Sequence, residues 1–292
     1  METPTWMTKQ HLKVATHGCP HHLDELVALA LLRRFLDEDG RSMETTFLSR
    51  AEIDEGLDSY DVVIDIGREY DPSRGRFDHH QTDPRVDGRS AAGLLFDWLY
   101  EGHPNHDYLE PIIRQVDAID TAGPERAGDA GDFDAASERA RGMLSISYLL
   151  KTVGGFRHDP SASRQCLAMI ESLVGGWFKQ ADGLRDAADV VAQAEPVAGG
   201  IFLPSSDGYG PGLLEYVRNE TSFRFIGFPT EEAFKVIAVR DASGNNRINF
   251  LPPIEGAAFV HPKGFLAVWS DADSARRGLE RYCTCDMVDR DD

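Results

Sequence analysis

Three separated parts of this 292-residue sequence carry side chains of the types that bind divalent metal ions. They are the cluster His17, His22 and Asp24, then Asp65 at the end of an apolar run, and then the segment Asp78-His79-His80. Imidazoles and carboxylates combined in this way can hold two divalent ions and activate water between them. The combination predicts a two-metal site for phosphoester hydrolysis.

The elements that must position these residues follow from the apolar pattern. Leu12–Thr16 is a short apolar-rich run that predicts a strand ending at His17, and a helical pattern follows from Leu23 to Leu36. The run from Val62 to Gly67 is typical of a parallel strand buried on both faces, with Asp65 at its carboxyl end. Because ligands gather at that edge of open α/β sheets, His17 and Asp65 are expected to meet there.

Two further helices are predicted after the histidine pair. Ser90 is a suitable N-cap for a helix through Tyr100. A second helix is expected from Tyr108 to Ile119, with Pro111 tolerated in its first turn. Asp117 and Asp120 are three residues apart and therefore predicted to share a face near its end. The pattern does not separate them, so both remain candidate metal ligands.

The rest of the chain predicts a smaller domain of mixed structure. Helical character dominates from Ser161 to Gln193, with an expected interruption at Gly175-Gly176. Strand-like pairs then follow, which predict hairpins at 234–240 with 247–251 and at 257–260 with 265–269, before a short helix at 274–282. The predicted division is residues 1–160, a helical linker at 161–195, and residues 196–292. The acidic segment 127–138 is predicted to be an exposed insertion.

Composition limits the class of protein. Hydrophobic residues make up 41% of the chain, enough for a substantial core, and the length favours two domains. The net charge of −19 comes from 49 acidic and 30 basic residues, so the average surface repels long polyphosphate chains. Long nucleic acid is therefore not the expected substrate, although Arg68, Arg74 and Arg76 form a local basic cluster before Asp78.

Cysteine use and hydropathy bear on the compartment. Four scattered cysteines, at positions 19, 166, 283 and 285, predict neither a disulfide framework nor a zinc knuckle, which favours a reducing cytoplasm. The first 13 residues lack the apolar core of a secretion signal. No apolar run approaches the roughly 18 residues that span a bilayer, so no membrane partner is expected.

Longer motifs carry a family resemblance that extends from residue 16 to about residue 265. They are Thr16-His17, His22-Leu23-Asp24-Glu25, Val63-Ile64-Asp65-Ile66-Gly67, Glu69-Tyr70-Asp71-Pro72, Arg76-Phe77-Asp78-His79-His80-Gln81, Ser90-Ala91-Ala92-Gly93-Leu94, Val116-Asp117-Ala118-Ile119-Asp120 and Phe259-Val260-His261-Pro262-Lys263-Gly264-Phe265. With these motifs the chain resembles the MYG1 family of the DHH phosphoesterase superfamily. The resemblance implies an α/β fold, in which a DHH-type domain with a mainly parallel sheet flanked by helices precedes a smaller α+β C-terminal domain.

The resemblance and the ligand chemistry together imply two metal positions. One position would be held by His17, His22 and Asp65, and the other by Asp24, Asp65, His79 and an aspartate of the 117/120 pair, with Asp65 common to both. Oxygen ligands with a few imidazoles favour Mn²⁺, with Mg²⁺ as the alternative, over structural zinc. His21 matches no family position and is predicted to lie on the surface.

Other residues are predicted to act on the substrate. His80 is the candidate for gripping the phosphoryl oxygen or protonating the leaving group, and Asp78 is expected to orient a histidine. Substrate phosphates are expected to contact four side chains, namely Arg76, Arg247, His261 and Lys263. For the segment 261–264 a tight turn without a binding role is the alternative prediction.

The resemblance implies a 3′-to-5′ exonuclease that acts on RNA, and the acidic net charge favours short oligonucleotides over long ones. A hydrolase of pyrophosphate or of a small nucleotide is the second hypothesis. A metal- or nucleotide-binding module without catalysis is the third, which the joint presence of five candidate ligands disfavours. A homodimer is compatible with each of the three.

Overall fold

The computed structural model describes residues 3–122, 146–155, 157 and 159–285. The predicted insertion at 127–138 lies outside the described residues. The chain forms two compact units, Met1–Phe178 and Lys179–Asp292. The boundary between them falls inside a single long helix, and the predicted division at 160/161 and 195/196 stays a prediction.

The first unit is built on five strands and the helices between them. The strands are β1 (His11–His17), β2 (Ser42–Leu48), β3 (Val62–Ile64), β4 (Tyr70–Asp71) and β5 (Arg76–Phe77). The helices are α1 (Leu23–Glu38), α2 (Arg50–Glu55), α3 (Ala91–Leu99), α4 (His106–Ala122) and α5 (Ile146–Gly154), with α6 (Pro160–Gln193) continuing into the second unit. Short 3-10 turns occupy Thr5–Thr8, Pro72–Arg74 and Pro84–Val86.

The sheet of this unit is mainly parallel, as predicted. Its strand order is β2-β1-β3-β5-β4, and only the two-residue strand β4 runs antiparallel to its neighbour. Side chains alternate between the two faces. Val14 and Ile64 therefore join the large core formed with α1 and α3, whereas Ala15 and Val63 join a small apolar cluster beside α2. Because both faces are covered, the central strands are continuous apolar runs.

Most predicted elements of this unit are confirmed, with two differences. Helix α4 begins at His106, so Pro111 lies in its second turn and not in its first. Helix α6 continues through Gly175-Gly176 without the predicted interruption. Val174 and Phe178 pack into the core on either side of the two glycines. This packing offsets the cost of about 1 kcal/mol that each glycine brings to a helix interior.

The second unit is the predicted α+β domain. Its strands are β6 (Glu195–Val197), β7 (Gly200–Phe202), β8 (Phe225–Pro229), β9 (Phe234–Ala238), β10 (Phe259–Val260) and β11 (Leu266–Trp269), and its helices are α7 (Pro211–Glu220) and α8 (Ala272–Cys285). The order is β10-β11-β9-β8-β7-β6, with β7 and β8 as the one parallel pair.

One of the two predicted hairpins of this unit is wrong. The pair β10 and β11 forms as expected, but residues 247–251 form no strand beside β9. Strand β9 has both edges occupied, by β8 and β11, so no edge is left for that segment. Only an isolated bridge between Arg240 and Asn246 remains of the expected hairpin.

Hydropathy along the helices bears on membrane insertion. Within the described ranges, no helix combines the length and apolar character that a bilayer crossing requires.

Candidate metal centre

Parallel strands bring three of the candidate residues to one edge of the first sheet. His17 is the last residue of β1, Asp65 follows β3 directly, and Asp78 follows β5. The carboxyl ends of parallel strands lie at the same edge, where ligands gather. His17 Nε2 lies 3.2 Å from Asp65 Oδ2, so these two side chains meet there.

Helix α1 adds further ligands from its first turn. Its N-cap is His22, and the main-chain N–H of His22 donates to the carboxylate oxygens of Glu25 at 2.8 and 3.0 Å. Asp24 and Glu25 are both fully buried. The positive end of the helix dipole favours carboxylates in this turn, which helps to hold two negative charges beside His17 and Asp65.

His79 is surrounded by carboxylate oxygens. Its Nε2 atom lies 3.2 Å from Asp120 Oδ2, 3.3 Å from Asp65 Oδ1 and 3.9 Å from Asp24 Oδ2. Asp65 therefore contacts His17 through one oxygen and approaches His79 through the other. This placement is what a carboxylate shared between two ion positions requires.

Several polar atoms at this edge are buried without hydrogen-bond partners among the described residues. They are both carboxylate oxygens of Asp24, Oδ1 of Asp65 and Nε2 of His79. Buried polar atoms are normally satisfied, because leaving them unpaired costs free energy. Divalent cations would satisfy all of these atoms at once, so the residues present fit such ions.

Three overlapping groups have ligand atoms close enough together to hold an ion. They are His17, His22, Glu25 and Asp65, then Asp65, His79 and His80, and then His22, Asp24 and Asp120. Carboxylate oxygens with imidazole nitrogens and no thiolate form a donor set typical of Mn²⁺ or Mg²⁺. The geometry supports binding of metal at this edge.

Electrostatics show an excess of negative charge. Burial, together with the nearby charges of Asp65, Glu25 and Asp120, holds the pKa of Asp24 well above its ordinary value. For His17, burial acts to lower the pKa. Its hydrogen bond to Asp65 and the negative charges of Glu25 and Asp65 outweigh burial and raise the pKa of His17 to about 9. For Asp65, burial acts to raise the pKa, yet the imidazoles of His17 and His79 bring it down to about 2. The site therefore favours bound positive charge.

Addition of Mn²⁺ to metal-free protein is expected to raise the midpoint of thermal unfolding. An ion present at a hundred times its dissociation constant adds about 2.7 kcal/mol to the free energy of unfolding. Asp24→Asn removes one buried negative charge, so that variant is expected to be more stable without metal and to gain less from Mn²⁺. Differential scanning fluorimetry with and without Mn²⁺ measures both effects. An unchanged midpoint for the native sequence would contradict the metal site.

Asp65 also has an unusual backbone conformation. Its φ angle is +60°, in the left-handed region that residues other than glycine rarely adopt. Such conformations cost of order 1–3 kcal/mol and cluster at functional sites. The turn after β3 therefore accepts strain at the point where it places the carboxylate between His17 and His79.

Asp117 and Asp120 have separate environments, although the sequence pattern did not separate them. The carboxylate of Asp117 accepts hydrogen bonds from Arg89 Nη1 at 2.6 Å, from the main-chain N–H of Ser90 at 2.9 Å and from the Ser90 hydroxyl at 2.8 Å. Gly93 leaves room for it, since a Cβ there would lie 2.3 Å from Asp117 Oδ1. Asp120 alone of the pair reaches His79.

His80 is held beside the site by Asp78. Asp78 Oδ1 accepts hydrogen bonds from the main-chain N–H and from Nδ1 of His80, at 2.8 and 2.9 Å. The hydrogen bond to Asp78 raises the pKa of His80, while its partial burial acts in the opposite direction. The His80 side chain is 53% exposed, so its Nε2 edge is open to a substrate. This geometry is compatible with the predicted roles of both residues, which stay predictions.

The two arginines predicted to bind phosphate both donate hydrogen bonds to main-chain carbonyl oxygens. Arg76 donates to the carbonyl oxygens of Arg74, Gly75, Asp61 and Tyr60. Arg247 donates to those of Val217, Arg218, Thr221 and Phe223. Both guanidinium groups therefore stabilise loops and helix ends, and the expectation that they bind substrate stays a prediction.

The turn containing His261 and Lys263 is closed by its own main chain. Gly264 N–H donates to the carbonyl oxygen of His261, and Lys263 N–H donates to His261 Nδ1. His261 also packs against Phe265, with ring centroids 4.1 Å apart. These contacts form the tight turn of the alternative prediction, and a role of the two side chains in binding phosphate stays a prediction.

Sequence reasoning missed a buried network behind the ligands. His21 was predicted to lie on the surface, yet it is fully buried. Its Nδ1 lies 3.1 Å from Glu25 Oε1 and its Nε2 lies 2.8 Å from Ser163 Oγ. Glu25 Oε1 in turn lies 3.8 Å from His17 Nε2. Ser163 is also fully buried, so the Glu25, His21 and Ser163 series positions the ligand region and is closed to substrate.

Comparisons with known proteins identify the family of this chain. The model of the MYG1_exonuc family, described as an uncharacterised protein family (UPF0160), matches residues 13–99, which include all the candidate ligands except those of α4. The MYG1 protein of Chlamydia muridarum is 32% identical over 295 residues, which cover 91% of this chain and 94% of that protein. The chain belongs to the MYG1 family.

The MYG1 relatives from animals match over a shorter part. The human MYG1 exonuclease is 38% identical over 103 residues, which are 31% of this chain and only 26% of the human protein. Among solved structures, RecJ of Thermus thermophilus in complex with Mn²⁺ is similar, with a TM-score of 0.28 and 15% identity, over 96% of this chain and 53% of that chain. A structural likeness this distant supports no conclusion about function.

Proposed function

We propose that this MYG1-family protein is a metal-dependent phosphodiester hydrolase that acts as a 3′-to-5′ exonuclease on short RNA. The observation that carries the proposal is the convergence, at one sheet edge, of buried atoms of Asp24, Asp65 and His79 that lack hydrogen-bond partners among the described residues. The human relative is named an exonuclease, which supports nuclease activity as the form of hydrolysis.

Two divalent ions, Mn²⁺ in this proposal, would be held by His17, His22, Asp24, Asp65, His79 and Asp120. When bound, such ions supply an activated water molecule and neutralise charge on the phosphate under attack. The residues of the chain fix the positions around them. Asp65 presents one oxygen to each side of the site, and the buried Glu25 supports His17 and the start of helix α1.

His80 is proposed to assist departure of the leaving group. Asp78 fixes its Nδ1, which leaves Nε2 as the atom that faces the substrate. From there it can hydrogen-bond the phosphoryl oxygen or donate a proton to the leaving oxygen. His261 and Lys263 are proposed to contact further substrate phosphates within the second unit.

The net charge of the chain favours small substrates. At −19, the average surface repels long polyanions, so oligonucleotides of a few residues fit better than long RNA. The same observation favours the second candidate, a phosphohydrolase acting on pyrophosphate or on a small nucleotide. Homodimer formation and cytoplasmic location stay predictions.

The test measures products from labelled substrates in the presence of Mn²⁺. RNA oligomers labelled at the 5′ end are expected to be shortened from the 3′ end with release of mononucleotides. The matching DNA oligomers and pyrophosphate separate the two candidates, and Asp65→Asn controls for contaminating nuclease. Cleavage of pyrophosphate or of a dinucleotide alone would favour the second candidate. Binding of metal and nucleotide without hydrolysis of any phosphodiester would contradict both.

His80→Ala is expected to lower turnover while leaving metal content nearly intact. General acid–base groups contribute about 10²–10⁴-fold to rates, so a loss in that range is expected. The measurement is the turnover number together with metal analysis of the same preparation. Metal loss from His80→Ala equal to that from His79→Ala would contradict the different roles assigned to these adjacent histidines.

A further inference from the structure

A cavity of about 550 Å³ opens beside the metal centre in the first unit. Asp65 and His80 line it, so it adjoins the residues proposed to act on the phosphate. Ile53, Leu57 and Ile66 also line it, and they belong to the small apolar cluster beside helix α2. Its volume lies within the range of about 300–1,000 Å³ that is typical of sites for small ligands.

Arg68 lines the same cavity, and its guanidinium group has no hydrogen bond or ion pair with the described residues. Across the described segment 3–122, every other arginine side chain is paired with a carboxylate or with main-chain carbonyl groups, whereas that of Arg68 has no such partner. Arg50 and Arg76 also line the cavity, but Arg50 pairs with Asp54 at 3.4 Å and Arg76 donates to carbonyl oxygens. Arg68 is therefore the cation available to a ligand there.

The backbone of Arg68 is held in place by the residue that also holds His80. Asp78 Oδ2 accepts the main-chain N–H of Arg68 at 2.7 Å, while Asp78 Oδ1 accepts Nδ1 of His80. The φ angle of Arg68 is +54°, in the left-handed region. One buried carboxylate thus fixes both the candidate proton donor and the arginine beside it.

We propose that this cavity is a subsite for one nucleoside monophosphate unit of the substrate. The guanidinium group of Arg68 binds the phosphate, and the apolar wall of Ile53, Leu57 and Ile66 packs against the base. Asp54 and Asp58 also line the cavity, so a unit with one phosphate and a neutral base fits better than a polyphosphate. The inference rests on the proposed function, because it places one part of the substrate next to Asp65 and His80.

Binding of AMP to the Mn²⁺-loaded protein tests the subsite by isothermal titration calorimetry. Arg68→Gly is expected to weaken binding of AMP and of ribose 5-phosphate about tenfold or more, since a hydrogen bond to a charged group is lost. It should leave binding of adenosine unchanged, and Arg68→Lys should recover part of the loss. Arg74→Ala is the matched control, because it removes one exposed arginine outside the cavity lining.

A second variant tests whether the apolar wall contacts the base. Leu57→Ala is expected to weaken binding of AMP and adenosine but not of ribose 5-phosphate, because only the first two carry a base. Equal weakening of all three ligands would contradict the assignment of this wall to the base.

The choice of glycine at position 68 keeps the test independent of folding. Glycine adopts positive φ without strain, so the thermal midpoint of Arg68→Gly is expected to equal or exceed that of the native sequence. A loss of binding then reports the missing guanidinium group. AMP affinity of Arg68→Gly equal to that of the native sequence would overturn the role of Arg68.

The outcomes separate this inference from the proposed function. If the native sequence binds AMP through Arg68 but hydrolyses no phosphodiester, the subsite stands and the hydrolase proposal fails. If the native sequence degrades RNA while Arg68→Gly binds AMP normally, the hydrolase proposal stands and the subsite is wrong. Absence of any AMP binding by the native sequence overturns the subsite.

Discussion

Asp65→Asn is expected to remove turnover and to lower the Mn²⁺ content of the protein. Asp65 Oδ2 lies 3.2 Å from His17 Nε2 and Oδ1 lies 3.3 Å from His79 Nε2, so its carboxylate takes part in both candidate ion positions. Loss of a residue that only supports a ligand typically costs 10–100-fold in metal affinity or activity. Loss of a shared ligand should therefore cost more than about a hundredfold.

Asparagine is the informative replacement at this position. It keeps the shape of the side chain and tolerates the φ angle of +60°, so the fold should be preserved. Metal content by mass spectrometry and turnover of a labelled oligomer are the measurements. Asp61→Asn is the control, since Asp61 accepts the main-chain N–H of Lys13 and pairs with Lys9 outside the metal centre. Full metal content and normal turnover in Asp65→Asn would contradict the site.

Asp117→Ala is expected to destabilise the fold, whereas Asp120→Ala is expected to affect the site. Asp117 and Arg89 form a buried pair at 2.6 Å, and removal of one partner from a buried pair costs 3–5 kcal/mol. Arg89 keeps its contact with Asp97, which places the expected loss of unfolding free energy near the lower end, about 3 kcal/mol. Ser90 also loses the acceptor of its N–H and hydroxyl groups.

Asp120→Ala removes a carboxylate from a crowded negative site. Burial raises the pKa of Asp120, the nearby His79 lowers it and the charge of Asp65 raises it further. The free energy of unfolding of the metal-free variant is therefore expected to stay within about 1 kcal/mol of the native value, while turnover falls. Denaturant unfolding without metal, with turnover measured in parallel, tests the pair. A stable Asp117→Ala together with an unfolded Asp120→Ala would reverse the two assignments.

Local patterns predicted most of the first unit correctly. The apolar run before His17 forms β1, the helical pattern after His22 forms α1, and Ser90 caps α3 through a hydrogen bond from Gly93 N–H. These elements depend on periodicity and capping, which act over a few residues and can be read from the chain directly. The fold class of both units was therefore predictable.

Predictions that depended on distant partners were less successful. The segment 247–251 has a strand-like composition, yet β8 and β11 take both edges of β9. His21 was predicted to lie on the surface. In the structure it is buried, and Glu25 and Ser163 are the hydrogen-bond partners of its two ring nitrogens. Arg76 and Arg247 were predicted to bind phosphate, and the structure shows that both donate hydrogen bonds to main-chain carbonyl oxygens. Ser163 lies 142 residues from His21 and Thr221 lies 26 residues from Arg247, so a local pattern cannot reveal these partners, whereas Glu25 and Arg74 are near neighbours of His21 and Arg76.

The sequence by itself predicted that His17 and Asp65 end strands of one parallel sheet and meet at its edge, because short continuous apolar runs are typical of parallel strands buried on both faces. Only the tertiary structure decided that Asp120 and not Asp117 faces His79, and that Glu25 and His21 support the site from behind. It also showed that no residue of the described part of the chain pairs with the guanidinium group of Arg68 beside the site. The reason is physical: which of several similar side chains is neutralised depends on the charges that folding brings within a few ångströms of it.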